Sequence, residues 1–329
     1  MKDTIEVLVT VQLCPENMRR LNAALAPAVI HHCKPDDLEA IRACVHKIDA
    51  AILEADAPEC LLEGRKLRWI HCCHAGLDKT ARPEVFERGI VLTSSAGRSA
   101  PALAEHAVMF MLALTYDLSA RMHEQHMRQW HPERLFARNA MCGKTVGIVG
   151  MGNTGLALVR RLRAFDMRIL GWRRSTEVPA GVEKVYSSEQ NDSFEDFLKQ
   201  CDFVVLCAGL NDRTWHMIDA DALAHMPKGS YLINVSRGGL VNENALIDAL
   251  RSGHLAGAGL DNFEVEPLPE ASPLWTLPNV LITPHATPCV ADREDQQLSY
   301  VLHNIEAFRG SKDFVNLLTQ RDVYTHIEE

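Results

Sequence analysis

The sequence predicts an α/β fold of two doubly wound parallel-sheet domains separated by a cleft, and three observations predict it. Short apolar runs alternate with amphipathic stretches along nearly all of the 329 residues, the pattern of βα units building a parallel sheet. A chain of that length exceeds one ordinary core and divides into about two domains. Only the second series of βα units carries a glycine-rich turn, Thr145 to Gly155, reading T-V-G-I-V-G-M-G-N-T-G.

In the first series, strands are expected at Ile5 to Leu13, Val29 to Cys33, Ala50 to Leu53, Leu67 to Cys73 and Ile90 to Thr93, with helices at Glu16 to Leu25 and Pro35 to Val45. A long helical stretch follows, Ala102 to about Arg128, apolar along Ala107, Val108, Met111, Leu112, Leu114 and Leu118 and strongly polar from Arg121 onward. Such a helix can link domains or pair with a second subunit. Its histidines His106, His123 and His126 are read as packing and solvent-facing residues. After the glycine turn, strands are expected at Arg168 to Trp172, Phe203 to Cys207, Tyr231 to Val235, Gly257 to Leu260 and Val280 to Ile282. Helices are expected at Phe194 to Lys199, Ala220 to Ala224 and Glu243 to Arg251, and a last helix from about Ala291 to Phe308 returns the chain to the first domain. The substrate domain is therefore expected to be discontinuous, residues 1–99 and 290–329, around a dinucleotide domain of residues 100–289.

Composition narrows the partners. A hydrophobic fraction of 47% with 23% charged residues fits a globular chain. With 34 basic against 43 acidic residues the formal charge is −9 and no polybasic block occurs; nucleic acid and anionic membranes, which need a basic face, are not expected partners. No apolar run approaches the ~20 residues that span a bilayer, and the start M-K-D-T-I-E lacks a signal-peptide core, so a cytoplasmic location is expected. The ten cysteines include no C-x-x-C spacing, and most read as buried thiols. The cluster His71-Cys72-Cys73-His74 ends a strand whose alternation splits it between two faces, so no metal site is expected.

The glycine spacing has a mechanical meaning. Gly150 permits the turn out of the strand, Gly152 lets a pyrophosphate approach bare backbone, and Gly155 allows the helix to pack closely. Met151, Asn153 and Thr154 complete the phosphate-binding turn at a helix N-terminus, where N–H groups and the dipole favour negative charge. This is a Rossmann-like dinucleotide site. The strand after the turn ends G-W-R-R-S, with Arg173 eighteen residues after Gly155. A carboxylate there would repel a ribose 2′-phosphate, whereas a guanidinium binds it bidentately, so NADP(H) is expected over NAD(H), held by Arg173, Arg174 and Ser175. Two arginines at a strand end can also be simply solvated.

The candidates for chemistry lie at the C-terminal ends of later strands, where α/β sheets place ligands. Arg237 follows one strand in N-V-S-R-G-G, Glu266 lies in L-D-N-F-E-V-E-P-L-P, and His285 follows another strand in I-T-P-H-A-T. Reduction of a 2-oxo acid needs a cation for carboxylate and carbonyl, a proton donor for the carbonyl oxygen, and a group that keeps the donor charged. Arg237, His285 and Glu266 suit these roles in turn. Each also has a structural alternative: a capping arginine, a surface glutamate, a core histidine.

Four ordered stretches between Gly143 and His285 resemble the D-isomer-specific 2-hydroxyacid dehydrogenases: G-K-T-V-G-I-V-G-M-G-N-T-G, L-I-N-V-S-R-G-G-L-V-N-E-N-A-L, A-G-L-D-N-F-E-V-E-P-L-P and S-P-L-W-T-L-P-N-V-L-I-T-P-H. The resemblance implies a catalytic triad of Arg237, Glu266 and His285, Asp261 near the nicotinamide carboxamide, and a loop His74 to Asp78 in which the N–H groups of Ala75 and Gly76 receive the substrate carboxylate. It also implies a homodimer built on the nucleotide domain. Asn262 stands where the family usually has Val, Gly209 lies in a loop where a Pro is expected, and the segment after His285, A-T-P-C-V-A-D-R-E-D, lacks a common glycine pair. The expected activity is NADPH-linked reduction of a small 2-oxo acid, such as glyoxylate, hydroxypyruvate or a pyruvate-like compound, to a D-2-hydroxy acid. The side chain accepted is expected to depend on pocket residues near Leu53, Glu54, His74 and Trp275. Two alternatives are a dinucleotide-sensing corepressor of the same fold, and NAD-linked oxidation of an unusual one-carbon or inorganic substrate.

Overall fold

The computed structural model describes residues 4–131, 140–290 and 293–326. Its strands are β1 Glu6–Val9, β2 Val29–His32, β3 Ala50–Leu53, β4 Trp69–Cys72, β5 Val91–Ser94, β6 Thr145–Val149, β7 Arg168–Arg173, β8 Lys184–Ser187, β9 Phe203–Leu206, β10 Tyr231–Asn234, β11 Gly257–Leu260, β12 Val280–Ile282 and β13 Leu317–Leu318. The helices are α1 Pro15–Leu25, α2 Leu38–Cys44, α3 Pro83–Glu87, α4 Ala100–Thr115, α5 Leu118–His126, α6 Asn153–Leu162, α7 Phe194–Leu198, α8 Ala220–His225, α9 Glu243–Arg251 and α10 Arg293–Phe308. They form two compact units: Met1–Arg98, Leu210–Asp212 and Val290–Glu329 in one, Ser99–Gly209 and Arg213–Cys289 in the other. The expected start of the last helix, Ala291, lies outside the described residues.

The first unit holds a six-stranded sheet in the order β13-β5-β4-β3-β1-β2, parallel except where β13 pairs antiparallel with β5. Strand alternation sorts its side chains into two cores. Ala51, Ile70, Cys72 and Leu92 pack with Ile41 and Val45 of the α2 segment and Val85 of α3. Ala50, Ile52, Trp69 and Cys73 pack with Leu21 and Leu25 of α1 and with Leu298, Val301 and Ile305 of α10. Adjacent Cys72 and Cys73 thus point into opposite cores. His71 is buried, with its ring nitrogens 2.9 Å from Thr93 Oγ1 and 3.0 Å from Ser95 Oγ. Burial, with a smaller contribution from nearby His74, pushes His71 down to about 3, so it is neutral and its nitrogens belong to the sheet. Among the described residues, no group of three potential ligands is arranged to hold a metal.

The second unit is a parallel seven-stranded sheet in the order β12-β11-β10-β9-β6-β7-β8. Counting from β6, its first six strands follow the 3-2-1-4-5-6 order, whose reversal falls between β6 and β9. Strands β6, β9 and β11 are buried along their full length, as helices on both faces require. Helices α4 and α6 pack on one face, with Ala104, Ala107, Phe110, Ala157 and Leu158 against Val146, Ile148 and Val205.

The structure departs from the expected elements where local sequence is weakest. The long helix breaks at Asp117, whose φ of 48° and ψ of 55° are left-handed, leaving α4 and α5 as separate helices. The edge strands β8 and β13 and the five-residue α3 were not expected. An edge strand is covered on one side only and needs few apolar residues, and K-V-Y-S and L-L offer too short a pattern to read.

Candidate active site

The glycine turn sits at the switch point of the second sheet. Gly150 has φ +95°, and a Cβ there would lie 2.5 Å from the Ala208 nitrogen, so the ends of β6 and β9 touch backbone to backbone. A Cβ on Gly155 would lie 2.2 Å from the Gly150 oxygen, which is how α6 starts against the turn. Gly152, the N-cap of α6, differs: a Cβ there would meet nothing within 4 Å. The chain itself imposes no steric demand for glycine at 152, which fits a bare backbone left for a pyrophosphate to approach. Met151 is buried with its side chain against Gly171 of β7, so only its backbone is offered, and Asn153 and Thr154 open the helix.

Arg173 ends β7, next to the strand that feeds the glycine turn. Its Nη1 donates to the Glu177 carbonyl oxygen at 3.2 Å, and the Glu177 carboxylate lies 3.8 Å away. The Arg174 carbonyl accepts from the Ser187 hydroxyl and from the Glu189 N–H at 3.3 Å, which pins to the edge strand the turn that leads into Ser175.

Arg237, Glu266 and His285 come from three loops beyond the C-terminal ends of β10, β11 and β12. Asn234, the last residue of β10, folds the first loop: its amide donates to the Arg237 carbonyl at 2.9 Å and its oxygen accepts the Ser236 N–H at 3.0 Å. The Ser236 hydroxyl donates to the Ala208 carbonyl, and Arg237 Nη1 donates to the Ser236 carbonyl at 2.8 Å. A Cβ on Gly238 would lie 1.9 Å from the carbonyl carbon and oxygen of Phe263. The Arg237 loop therefore lies on the loop that carries Glu266.

His285 Nδ1 donates to Glu266 Oε2 at 2.7 Å, and the Phe263 N–H donates to Glu266 Oε1 at 3.1 Å. Burial pushes the Glu266 carboxyl up, but the hydrogen bonds from His285 and Phe263, with the charges of His285 and Arg237, outweigh it, and the net shift is downward. Glu266 is thus ionised near neutral pH. Because Nδ1 is committed, Nε2 is the ring atom left to exchange a proton. Asp261 is buried (1% exposed), and both its carboxylate oxygens serve the His285 loop, taking hydrogen bonds from Thr283 Oγ1 at 2.6 Å and from the Ala286 and Thr287 N–H groups at 3.1 and 3.3 Å. Neighbouring Asn262 is also buried, its Oδ1 without a partner among the described residues.

In the first unit, His74, Ala75 and Gly76 lie just beyond β4, with Gly76 at φ +74° turning the chain. His74 Nε2 is 4.0 Å from Asp56 Oδ1. Leu53, near which the substrate pocket is expected, is core, 2% exposed and packed with Ile70 and Leu92, because β3 is covered on both faces. Ala291 and Asp292, in the segment after His285, lie outside the described residues.

Comparison with known proteins decides the family. Residues 108–287 match the family model described as D-isomer specific 2-hydroxyacid dehydrogenase, NAD binding domain. The chain belongs to this family. The dehydrogenase is 36% identical over 288 residues to a glyoxylate reductase of Korarchaeum cryptofilum, covering 84% of this chain and 81% of that protein. Against a glyoxylate reductase of Thermococcus litoralis it is 36% identical over 286 residues, with 85% and 82% covered. Its fold is similar to that of a D-isomer specific 2-hydroxyacid dehydrogenase of Xanthobacter autotrophicus in complex with NADPH and MES, with TM-score 0.81, 26% identity and 97% and 99% of the two chains covered. It is also similar to an NADPH-dependent glyoxylate/hydroxypyruvate reductase of Sinorhizobium meliloti in complex with NADP and sulfate, with TM-score 0.80, 26% identity and 96% and 99% covered. The dehydrogenase is therefore an oxidoreductase with an NAD(P)-binding domain, acting on 2-hydroxy or 2-oxo acids. Among its described residues no helix is long and apolar enough to cross a membrane.

Proposed function

We propose that the dehydrogenase reduces small 2-oxo acids, glyoxylate and hydroxypyruvate first among them, to D-2-hydroxy acids with NADPH. The observation that carries this reading is the 2.7 Å pair of His285 and Glu266 beside the Arg237 loop, on the same sheet edge as the glycine turn. The bound dinucleotide supplies the hydride. Arg237 holds the substrate carboxylate and carbonyl oxygen. His285 Nε2 delivers the proton to the carbonyl oxygen, and Glu266 keeps the imidazole oriented through Nδ1. A panel of 2-oxo acids of graded size, followed by NADPH absorbance, tests the substrate class; no turnover of any of them removes it.

Arg173 supports the NADPH preference. It ends the strand beside the glycine turn, where a dinucleotide's adenosine ribose is held, and its acidic neighbour Glu177 is an exposed residue four positions on. Arg173→Ala with Arg174→Ala is expected to lower kcat/KM for NADPH roughly tenfold to a hundredfold, the value of one or two charge-assisted hydrogen bonds, with NADH use little changed. An equal loss for both cofactors, or a wild-type preference for NADH, counts against it.

The homodimer expectation is supported by apolar side chains exposed along α4, α5 and just beyond: Met109 at 44%, Tyr116 at 51%, Met122 at 61% and Trp130 at 89%. Patches of this kind mark protein contacts. Sedimentation velocity is expected to give a dimer that Met122→Asp with Trp130→Asp dissociates; a monomeric wild type at micromolar concentration removes this part.

A further inference from the structure

His106 was read from sequence as a packing residue, and the structure gives it a longer reach. It lies on α4, where its ring meets Phe110 edge-on with centroids 4.7 Å apart. Phe110 fills the space that a side chain at Gly259 would need: a Cβ there would lie 2.5 Å from Phe110 Cγ. The helix is thereby seated on β11, and His106 is aimed at the chain leaving β12. Its Nε2 is 2.9 Å from Thr283 Oγ1, and Thr283 Oγ1 is 2.6 Å from Asp261 Oδ1.

The direction of this chain follows from chemistry. An ionised carboxylate only accepts, so the single Thr283 hydroxyl proton goes to Asp261, and the hydroxyl oxygen can then only accept from His106. His106 Nε2 must carry a proton. Burial lowers the pKa of His106, partly countered by the Asp261 charge, consistent with a neutral ring whose one proton is on Nε2. Asp261, fixed in this way, brackets His285. Its carboxylate takes the N–H groups of Ala286 and Thr287 after the histidine, and its carbonyl takes the His285 N–H itself at 2.9 Å, shared with the Thr283 carbonyl at 3.1 Å. His285 needs such bracketing, since its φ of 50° is left-handed and costs energy for a residue with a Cβ.

We propose that His106 is a positioning residue for His285, acting through the Thr283 hydroxyl and the Asp261 carboxylate without touching substrate or the reacting atoms. This rests on the reading of His285 as proton donor. The consequence is that the aim of the imidazole depends on one N–H donor carried by a helix more than a hundred residues earlier in the chain.

The test uses the full chain with glyoxylate and NADPH, reading kcat, both KM values and the thermal midpoint. His106→Leu is expected to lower kcat by about tenfold to a hundredfold, the range in which small misplacements of a catalytic group fall, with KM for NADPH within about twofold of wild type. His106→Gln, which returns an N–H donor at similar reach, is expected to recover kcat to within about threefold. Thr283→Val should match the loss in His106→Leu, Thr283→Ser should stay near wild type, and the His106→Leu, Thr283→Val double variant should be no worse than either single, because one relay is cut only once. Unchanged kcat in folded His106→Leu, additive losses in the double variant, or a His106→Gln as impaired as His106→Leu overturns the proposal. If His106→Leu does not fold, the Thr283→Val and Thr283→Ser pair decides: equal rates in the two overturn it. A His285→Asn variant separates the two readings. Should it be inactive while the His106 and Thr283 variants are unaffected, only the positioning role falls; should it retain the wild-type rate, the proton-donor reading falls first.

Discussion

His285→Asn is expected to slow 2-oxo acid reduction by about 10²- to 10⁴-fold, the usual contribution of a positioned general acid, while NADPH binding, read by quenching of tryptophan fluorescence, stays close to wild type. The expectation rests on connectivity. His285 Nδ1 is occupied by Glu266 at 2.7 Å, and the dinucleotide cradle around Gly150 and Gly152 is built from a different loop of the same unit. Proton delivery and cofactor binding should therefore separate in the kinetics. Glu266 orients the donor: its Oε2 takes the Nδ1–H of His285 at 2.7 Å. Glu266→Gln keeps the length of the side chain but removes the charge, and it is expected to lower kcat by about tenfold to a hundredfold, the range of small misplacements of a catalytic group. On the acid side, the Glu266 carboxyl lies below its ordinary range. Its contribution is present above that range and lost only as pH falls through the lowered value, so the wild-type rate near neutrality should show no limb from Glu266. A His285→Asn enzyme with the wild-type rate, or a Glu266→Gln enzyme with the wild-type kcat, would remove the pair from the mechanism.

Much of the fold was legible because the central strands are buried on both faces. Ala50–Leu53, Phe203–Leu206 and Gly257–Leu260 are all fully buried, and such strands must be short uninterrupted apolar runs, which a sequence displays openly. The glycine turn was legible for a different reason: Gly150 and Gly155 are each pressed against backbone that leaves no room for a Cβ, so the spacing records steric necessity. Legibility failed where the deciding interaction was remote. The break at Asp117 has no proline or glycine to announce it, and β13 exists only because it meets β5, more than two hundred residues away. Arg237, Glu266 and His285, the residues proposed for the chemistry, could be picked out because strand ends are where ligands gather. Their support could not be: His106 and Thr283 are 177 positions apart, and nothing near either residue signals the hydroxyl bridge.

Arg237→Met is expected to cost about 10²- to 10³-fold in kcat/KM for glyoxylate, the scale seen when one preorganised donor to a developing oxyanion is removed, and Arg237→Lys is expected to recover only part of that loss. The distinction lies in geometry. One Nη of Arg237 is anchored to the Ser236 carbonyl at 2.8 Å, and the loop beneath is fixed by Asn234 and Ser236. The guanidinium plane is therefore set in part by its own loop, and on the proposed reading it meets the carboxylate and carbonyl as a planar group. A lysine keeps the charge but offers a point donor on a mobile stem, so it should restore binding of the 2-oxo acid better than it restores kcat. Arg237 also contributes to the downward shift of Glu266, which makes the arginine part of the field around the His285 pair. Its loss should accordingly be less than additive with Glu266→Gln in a double-mutant cycle. Full additivity would mean that Arg237 binds the substrate without contributing to the charge balance at His285, and an unchanged KM and kcat in Arg237→Met would remove it from the site.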